Sequence, residues 1–210
     1  MLTLLLALAT EPYESLVRSI ESRRIELASS SQKLRPEVEQ ALLAAFRRLT
    51  AAWIGTRWGL GLPQTDRPRE GKVNCGTFVG TILSHAGFRI DVRRLQRQPS
   101  QMIIRTFVAD RRRVVVLDRA SMPAFRARVK ALGPGLFIIG LDFHVGFLLQ
   151  TADDLRFVHA SYETGEVVDE PAASAVPITS SDYRIVGKLL DDRMLRAWLD
   201  GANFRVQGSE

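Results

Sequence analysis

The sequence predicts an α+β fold in which helices cover one side of an antiparallel sheet. Helical apolar periodicity dominates the chain before Gly135, short β-rich runs separated by turn residues follow it, and no internal repeat interrupts this order. The chain has 210 residues, 46% of them hydrophobic, which suffices for one sizeable core. We expect a helical extension over residues 11–52 and a main domain over residues 53–210.

The start of the chain has two interpretations. Residues 1–10, "MLTLLLALAT", are either a truncated secretory signal without its basic segment or the apolar opening of the first helix. Apolar residues at helical spacing in "EPYESLVRSIESRRIELAS" then predict an amphipathic helix, and "RPEVEQALLAAFRRLTAAWIG" predicts a second one that ends at Gly55. No run is long enough to span a bilayer.

The single cysteine lies where a loop becomes a helix. "TRWGLGLPQTDRPREGK" is rich in glycine and proline and predicts a surface loop. Asn74 is a good N-cap for the next helix, and Gly87 ends it. Cys75 therefore falls in the first turn, on the apolar face.

The rest of the chain alternates short elements. "QMIIRTFV" is ambiguous, "RRRVVVLDR" predicts a strand and "SMPAFRARVKALGPG" a short helix. Antiparallel strands are expected at "LFIIGL", "FHVGFLLQ", "LRFVHASY", "GEVVDE" and "YRIVGKLL", and a terminal helix at "DDRMLRAWL". "PAASAVPITSSD" reads as a loose stretch, and "GANFRVQGSE" is expected to fray.

Cys75 is a candidate nucleophile. No disulfide can form within the chain, so the thiol is free, and the unpaired N–H groups of a first helical turn lower a thiol pKa. A lone cysteine on an apolar helix face is otherwise a packing residue. A nucleophile also needs a base and a group that orients the base.

Two of the three histidines can supply the base and its orienting group if the turn of one hairpin has an even number of residues. With an even turn at residues 151–154, Gln150 pairs with Leu155, and His159 lies opposite Gly146. His144 and His159 then project from the same face as diagonal neighbours. An odd turn would move one of them to the other face.

Other assignments of these residues are weaker. His85 lies late in the cysteine helix, off its Cys75 face, and is expected to be structural or exposed. Cys75, His144 and His159 could ligate zinc, but no short-spaced ligand pair supports a metal site, and no cofactor is expected. The net charge of +6 comes from scattered arginines, which favours a solvated face over a nucleic-acid surface.

The segments "NCGTFV", "FHVGFLLQ" and "LRFVHAS" resemble the NlpC-type bacterial cysteine peptidases, papain-like enzymes that cut peptidoglycan stem peptides. The family signature is Asp-Cys-Ser-Gly-Phe-Val, then His-Val-Gly-Ile-Tyr, then Phe-Ile-His-Ala, and the order agrees from Trp53 to Leu190. The resemblance implies a papain-like sheet packed against a nucleophile-bearing helix, Cys75 as nucleophile, His144 as base and His159 as the orienting residue.

The resemblance also implies a substrate site at Trp58, Asn74 and Gly76, and a periplasmic or extracellular monomer acting on peptide or peptidoglycan fragments. Asn74 replaces an aspartate that faces the free amine of the substrate, and Trp58 replaces a tyrosine, so recognition of a free N-terminus is not implied. Transfer of the acyl group to another acceptor, an amidase acting on a non-murein substrate, and a non-catalytic envelope-binding module remain alternatives.

Overall fold

The computed structural model describes residues 12–30 and 35–206, so the signal or helix start expected at residues 1–10 lies outside the described residues. Over this part of the chain the fold is α+β with eight α-helices. They are α1 (Tyr13–Ser29), α2 (Arg35–Trp53), α3 (Cys75–His85), α4 (Val92–Leu95), α5 (Ser100–Phe107), α6 (Met122–Ala131), α7 (Val176–Thr179) and α8 (Asp192–Leu199). None of the described helices is long and apolar enough to cross a membrane.

Ten strands accompany the helices in these residues. They are β1 (Arg57–Trp58), β2 (Lys72–Val73), β3 (Arg89–Ile90), β4 (Val114–Asp118), β5 (Gly135–Leu141), β6 (Val145–Gln150), β7 (Leu155–Ser161), β8 (Glu166–Pro171), β9 (Tyr183–Lys188) and β10 (Asn203–Phe204). Eight strands form one sheet in the order β2-β1-β8-β7-β6-β5-β9-β4, and β3 pairs with β10.

The sheet is mixed, so the prediction of a purely antiparallel sheet is wrong at one edge. β1 and β2 pair in parallel, whereas the other neighbours in the sheet are antiparallel. β1 and the first residue of β2 come from the segment predicted to be a loop. Two-residue strands carry too few residues to show a period in the sequence. Pairing makes them strands: β1 pairs with β8, and β2 pairs with β1.

The helices cover both faces of the sheet, which corrects the expectation of a single covered face. A large core joins α1, α2, α3, α5 and α8 to one face, where Phe147 of β6 contacts Phe46 and Phe78 at ring-centroid distances of 5.6 and 6.0 Å. A smaller core on the other face contains Phe125 and Val129 of α6 and Ile178 of α7. Strands buried on both faces explain the nearly continuous apolar runs in β5 and β6.

Three more segments differ from their predictions. The ambiguous "QMIIRTFV" forms most of α5, and α7 lies inside the stretch predicted to be loose. The end of the chain does not fray before residue 206, because Phe204 packs at ring-centroid distances of 5.7 Å from Phe88 and 5.2 Å from Phe107. The remaining predicted helices and strands, including α3, α6, α8 and β4 to β9, are confirmed.

The first helix is held to the core by a polar contact at its start. The Tyr13 hydroxyl accepts a hydrogen bond from Trp53 Nε1 at 2.7 Å and lies 2.8 Å from Nδ1 of His85. Further along α1, the buried Arg24 donates to the carbonyl oxygens of Trp198 and Leu199. These bonds tie α1 to α2, α3 and α8 behind the sheet.

Candidate functional site

The helix that carries Cys75 begins as the sequence predicts. The Asn74 side chain accepts a hydrogen bond from the Thr77 N–H at 2.8 Å, which satisfies one of the free donors of the first turn. The Asn74 N–H in turn donates to Oε1 of Gln64 at 2.6 Å. Cys75 is therefore the first residue of α3, held between the loop before it and the sheet.

The Cys75 sulfur meets the sheet at the start of β6, beside β7. Paired residues of these strands extend only to Phe147 and Val158. The Leu141 N–H donates to the His144 carbonyl at 2.8 Å, so by the alternation of an antiparallel pair the next N–H of β6, that of Val145, points away from β5. This N–H is directed toward the Cys75 thiol.

Burial raises the pKa of the Cys75 thiol, so the expectation of a lowered thiol pKa is wrong for the protein without substrate. The N–H groups of Val145, Gly76 and Cys75 itself act in the opposite direction but do not outweigh burial. The donors of the first turn are present as predicted, yet a sulfur removed from water loses more hydration than they return. The resting cysteine is consequently a neutral thiol at pH 7.

His144 and His159 form a hydrogen-bonded pair. Nε2 of His144 lies 2.8 Å from Nδ1 of His159, and the two rings are nearly perpendicular at 84°. The turn at residues 151–154 has the even parity required, because Gln150 pairs with Leu155. The shared face of the two imidazoles, predicted from that parity, is confirmed.

Gly146 makes room for this pair. A Cβ atom at that position would lie 2.8 Å from Cβ of His159 and 2.6 Å from the ring of Phe157. Phe157 stacks on the His159 ring at a centroid distance of 4.0 Å. The glycine is required by close approach of β7, and any side chain there would displace His159.

The imidazoles and α3 lie on opposite faces of the sheet. Val145, Phe147 and Val158 belong to the core under α3, whereas Phe157, next to His159, belongs to the core on the other face. Side chains alternate along a strand, so His144 and His159 project away from α3. The Cys75 sulfur meets the N–H of Val145, the residue that directly follows His144.

Burial keeps both imidazoles uncharged. It lowers the pKa of His144 to about 3, with the neighbouring His159 contributing in the same direction, and it lowers the pKa of His159 to about 3. Each ring therefore carries one proton at neutral pH, and each has one nitrogen that donates and one that accepts. A neutral His144 can accept a proton, as a general base must.

Glu170 is a member of the site that the sequence reasoning missed. Its Oε1 lies 2.9 Å from Nε2 of His159, on the side away from His144. Burial raises the pKa of the Glu170 carboxyl, and Arg156 opposes that rise. The strand was predicted as "GEVVDE", and extending the parity argument from β7 to β8 would have placed Glu170 on the His159 face, because Phe157 pairs with Glu170.

The three residues expected to line a substrate site occupy different positions. Trp58 is half-buried and contacts the Tyr162 ring at 6.4 Å, and Tyr162 contacts the His144 ring at 5.6 Å, so Trp58 reaches the site through Tyr162. Tyr162 was also missed, although it follows β7 directly. Asn74 caps α3, and Gly76 packs against Gln96, whose carbonyl oxygen would lie 2.9 Å from an added Cβ.

The third histidine stands apart from this site. His85 is half-buried, bonds to Tyr13, and has a pKa lowered by burial, in agreement with its predicted structural role. Within residues 12–30 and 35–206, no group of three or more histidine, cysteine and acidic residues is arranged to hold a metal ion. Cys75, His144 and His159 are thus not arranged there as a zinc site.

Comparisons with known proteins find few similarities. No family model and no curated protein match the sequence. Among solved structures, one similar chain is a protein from Legionella pneumophila str. Philadelphia 1 with the family-model designation DUF1460. It shares 14% sequence identity, the match covers 84% of this chain and 95% of that one, and the TM-score is 0.39. A similarity this distant carries nothing about chemistry.

Proposed function

We propose that the protein is a thiol-dependent hydrolase, a cysteine peptidase or amidase with a papain-like arrangement, which cleaves an amide bond through an acyl-enzyme. The observation that carries this proposal is the 2.8 Å pair of His144 and His159, located beside the β6 N–H that is directed toward the Cys75 sulfur. A nucleophile, a neutral base and an orienting partner are the parts that acyl transfer needs.

In the proposed reaction, His144 removes the thiol proton as the sulfur attacks the substrate carbonyl carbon. Since Nε2 of His144 is engaged by His159, the accepting nitrogen is Nδ1. The C–S bond forms, the C–N bond breaks, and the imidazolium returns its proton to the leaving amine. Water, deprotonated by His144, then releases the acid and regenerates the thiol. The Cys75 N–H is available to the oxyanion.

The substrate proposed is a peptidoglycan stem peptide, met outside the cytoplasm. This part rests on the likeness of the three sequence segments to NlpC-type enzymes. An exposed aromatic rim beside the pair is consistent with binding of a ligand, since Phe143 is 96% exposed and Tyr162 is 42% exposed. An acyltransferase would use the same acyl-thioester and pass the acyl group to an amine or alcohol.

A second candidate, a non-catalytic envelope-binding module, is favoured by one observation. Burial raises the pKa of the Cys75 thiol, and the two imidazoles project from the face of the sheet that is turned away from α3. A fold that had lost turnover would retain the buried histidine pair as structure. In that case the thiol would react as an ordinary buried cysteine and no substrate bond would be broken.

The experiment that tests the proposal is digestion of purified peptidoglycan by the full chain, with mass spectrometry of the released fragments. Cys75→Ala and Cys75→Ser are expected to abolish cleavage and iodoacetamide labelling, with unchanged circular dichroism. Ser84→Ala, on the same helix, is the matched control and is expected to retain both. Full cleavage by Cys75→Ala would refute the mechanism, no cleavage by the wild type would favour the module, and products joined to an added amine would identify transfer.

A further inference from the structure

The three side chains Glu170, His159 and His144 form one continuous hydrogen-bonded row. Oε1 of Glu170 lies 2.9 Å from Nε2 of His159, and Nδ1 of His159 lies 2.8 Å from Nε2 of His144. His159 is fully buried and His144 nearly so, whereas the Glu170 side chain is 29% exposed. The nitrogen that carries the proton in each ring therefore depends on the hydrogen bonds among these three side chains.

An ionised carboxylate fixes the direction of the whole row. A carboxylate only accepts, so His159 must carry its proton on Nε2. Nδ1 of a neutral His159 is then an acceptor, and it must receive the proton from Nε2 of His144. Nδ1 of His144 is left with its lone pair. That is the nitrogen that the proposed reaction uses as a base.

We propose that Glu170 is a positioning residue, which acts through His159 to hold His144 in the tautomer whose Nδ1 is unprotonated. This inference rests on the proposed function, and it extends the row by one residue beyond the histidine pair. Glu170 itself touches neither the sulfur nor the substrate carbonyl in that reaction.

Protonation of Glu170 would reverse the row without charging either ring. A carboxylic acid donates to Nε2 of His159, whose proton must then lie on Nδ1 and point to Nε2 of His144. Nδ1 of His144 becomes protonated and can no longer accept from the thiol. One proton has been added to the carboxyl, and each imidazole still holds one.

Charged and titratable neighbours influence the pH at which Glu170 takes up a proton. His159 of β7 bonds the Glu170 carboxylate directly. Arg156 of the same strand lies on the other face of the sheet, where it is bonded to Asp169, and it lowers the Glu170 pKa from there. Arg57 of β1 pairs with Glu166 toward the other end of β8. Burial raises the Glu170 pKa, so this reversal is expected at a higher pH than protonation of an exposed carboxyl group.

The test compares Glu170→Gln with Glu170→Asp and with the control Glu166→Gln, which removes a carboxylate from the same strand away from His159. Nitrogen-15 NMR of the imidazoles reports the tautomer, and peptidoglycan cleavage is measured against pH. Gln has the shape of Glu, but its amide can either donate or accept a hydrogen bond, so we expect mixed tautomers of His144 in Glu170→Gln. We also expect kcat/KM to fall by up to roughly a hundredfold, and the decline of activity on the acid side of the pH profile to disappear. Asp should restore part of each.

A single His144 tautomer in Glu170→Gln, with an unchanged acid limb, would overturn the inference while leaving the Cys75-dependent reaction intact. If Glu170→Gln does not fold, titration of the wild type decides, because the His144 tautomer must invert as the carboxyl protonates. Absence of Cys75-dependent cleavage would refute the proposed function, and the tautomer spectra would still decide whether Glu170 sets the row.

Discussion

Nε2 of His144 lies 2.8 Å from Nδ1 of His159, although the two residues stand 15 positions apart and neither ring faces the helix that carries the cysteine. The bond uses one nitrogen of each ring. His144 is left with Nδ1 and His159 with Nε2, and the latter is occupied by Glu170. Among the described residues, Nδ1 of His144 is thus the one nitrogen of the pair without a hydrogen-bond partner.

That free nitrogen predicts unequal roles for the two histidines. His144→Ala removes the base and should lower kcat/KM on peptidoglycan by roughly a hundredfold or more, whereas His159→Gln should cost less because an amide can still receive the Nε2 proton of His144. The double variant should be little worse than His144→Ala, since the two residues act as a unit. His85→Gln, remote from the pair, is the control. Equal losses for both single variants would contradict the assignment.

Burial of two neutral imidazoles makes stability depend on pH in a defined direction. The folded-state pKa of each is about 3, below the unfolded value near 6.5, so their contribution is complete above about pH 6.5 and is lost as the pH falls toward 3. The free energy of unfolding should fall over this range by a few kcal/mol more than the loss that comes from protonation of the carboxylates. Urea unfolding at pH 7, 5 and 4 measures it.

The comparison for that titration is the double variant His144→Asn, His159→Gln, which has amides in place of both imidazoles. Its free energy of unfolding should depend less steeply on pH between 6.5 and 4, because nothing at either position then gains a proton. Identical slopes in the variant and the wild type would show that the pair is not kept neutral by folding.

The contact at the start of α1 predicts a loss of stability without a direct effect on the site. Tyr13→Phe removes the hydroxyl that receives the Trp53 N–H and bonds His85, and should lower the free energy of unfolding by about 1–3 kcal/mol. Tyr183→Phe removes a hydroxyl for which the described residues provide no hydrogen-bond partner, so its change should stay within about 0.5 kcal/mol. Equal changes in urea unfolding would argue against the contact.

Asn74 provides a test of substrate preference. Asn74→Asp keeps an N-cap oxygen for Thr77 and adds a charge that can pair with an ammonium group, so the stability should be unchanged. Turnover of peptides with a free amino terminus, relative to their acetylated forms, should rise roughly tenfold, which corresponds to one charge-assisted hydrogen bond. Asn74→Ala should cost about 1 kcal/mol of stability without that shift. An unchanged ratio in Asn74→Asp would place the substrate amine elsewhere.

Local patterns in the sequence suffice for most of the longer elements and for the histidine pair. The helical period and the Asn74 cap define α3, and the even turn after Gln150 places His144 and His159 on one face. These features depend on residues close in the chain, where period and parity leave few alternatives. The same reasoning extended by one strand would have found Glu170.

By itself, the sequence determined an α+β chain with a cysteine at the start of a helix and two histidines on one face of the sheet. Tertiary structure decided the rest: the second covered face of the sheet, the short parallel pair β1 and β2 at one end of it, and the neutral state of the thiol and imidazoles. A pKa is set by how much water a group loses and by its neighbours in space. At Cys75 the effect of burial on the thiol pKa exceeds that of the first-turn donors, and the packing of α3 against the sheet sets that balance.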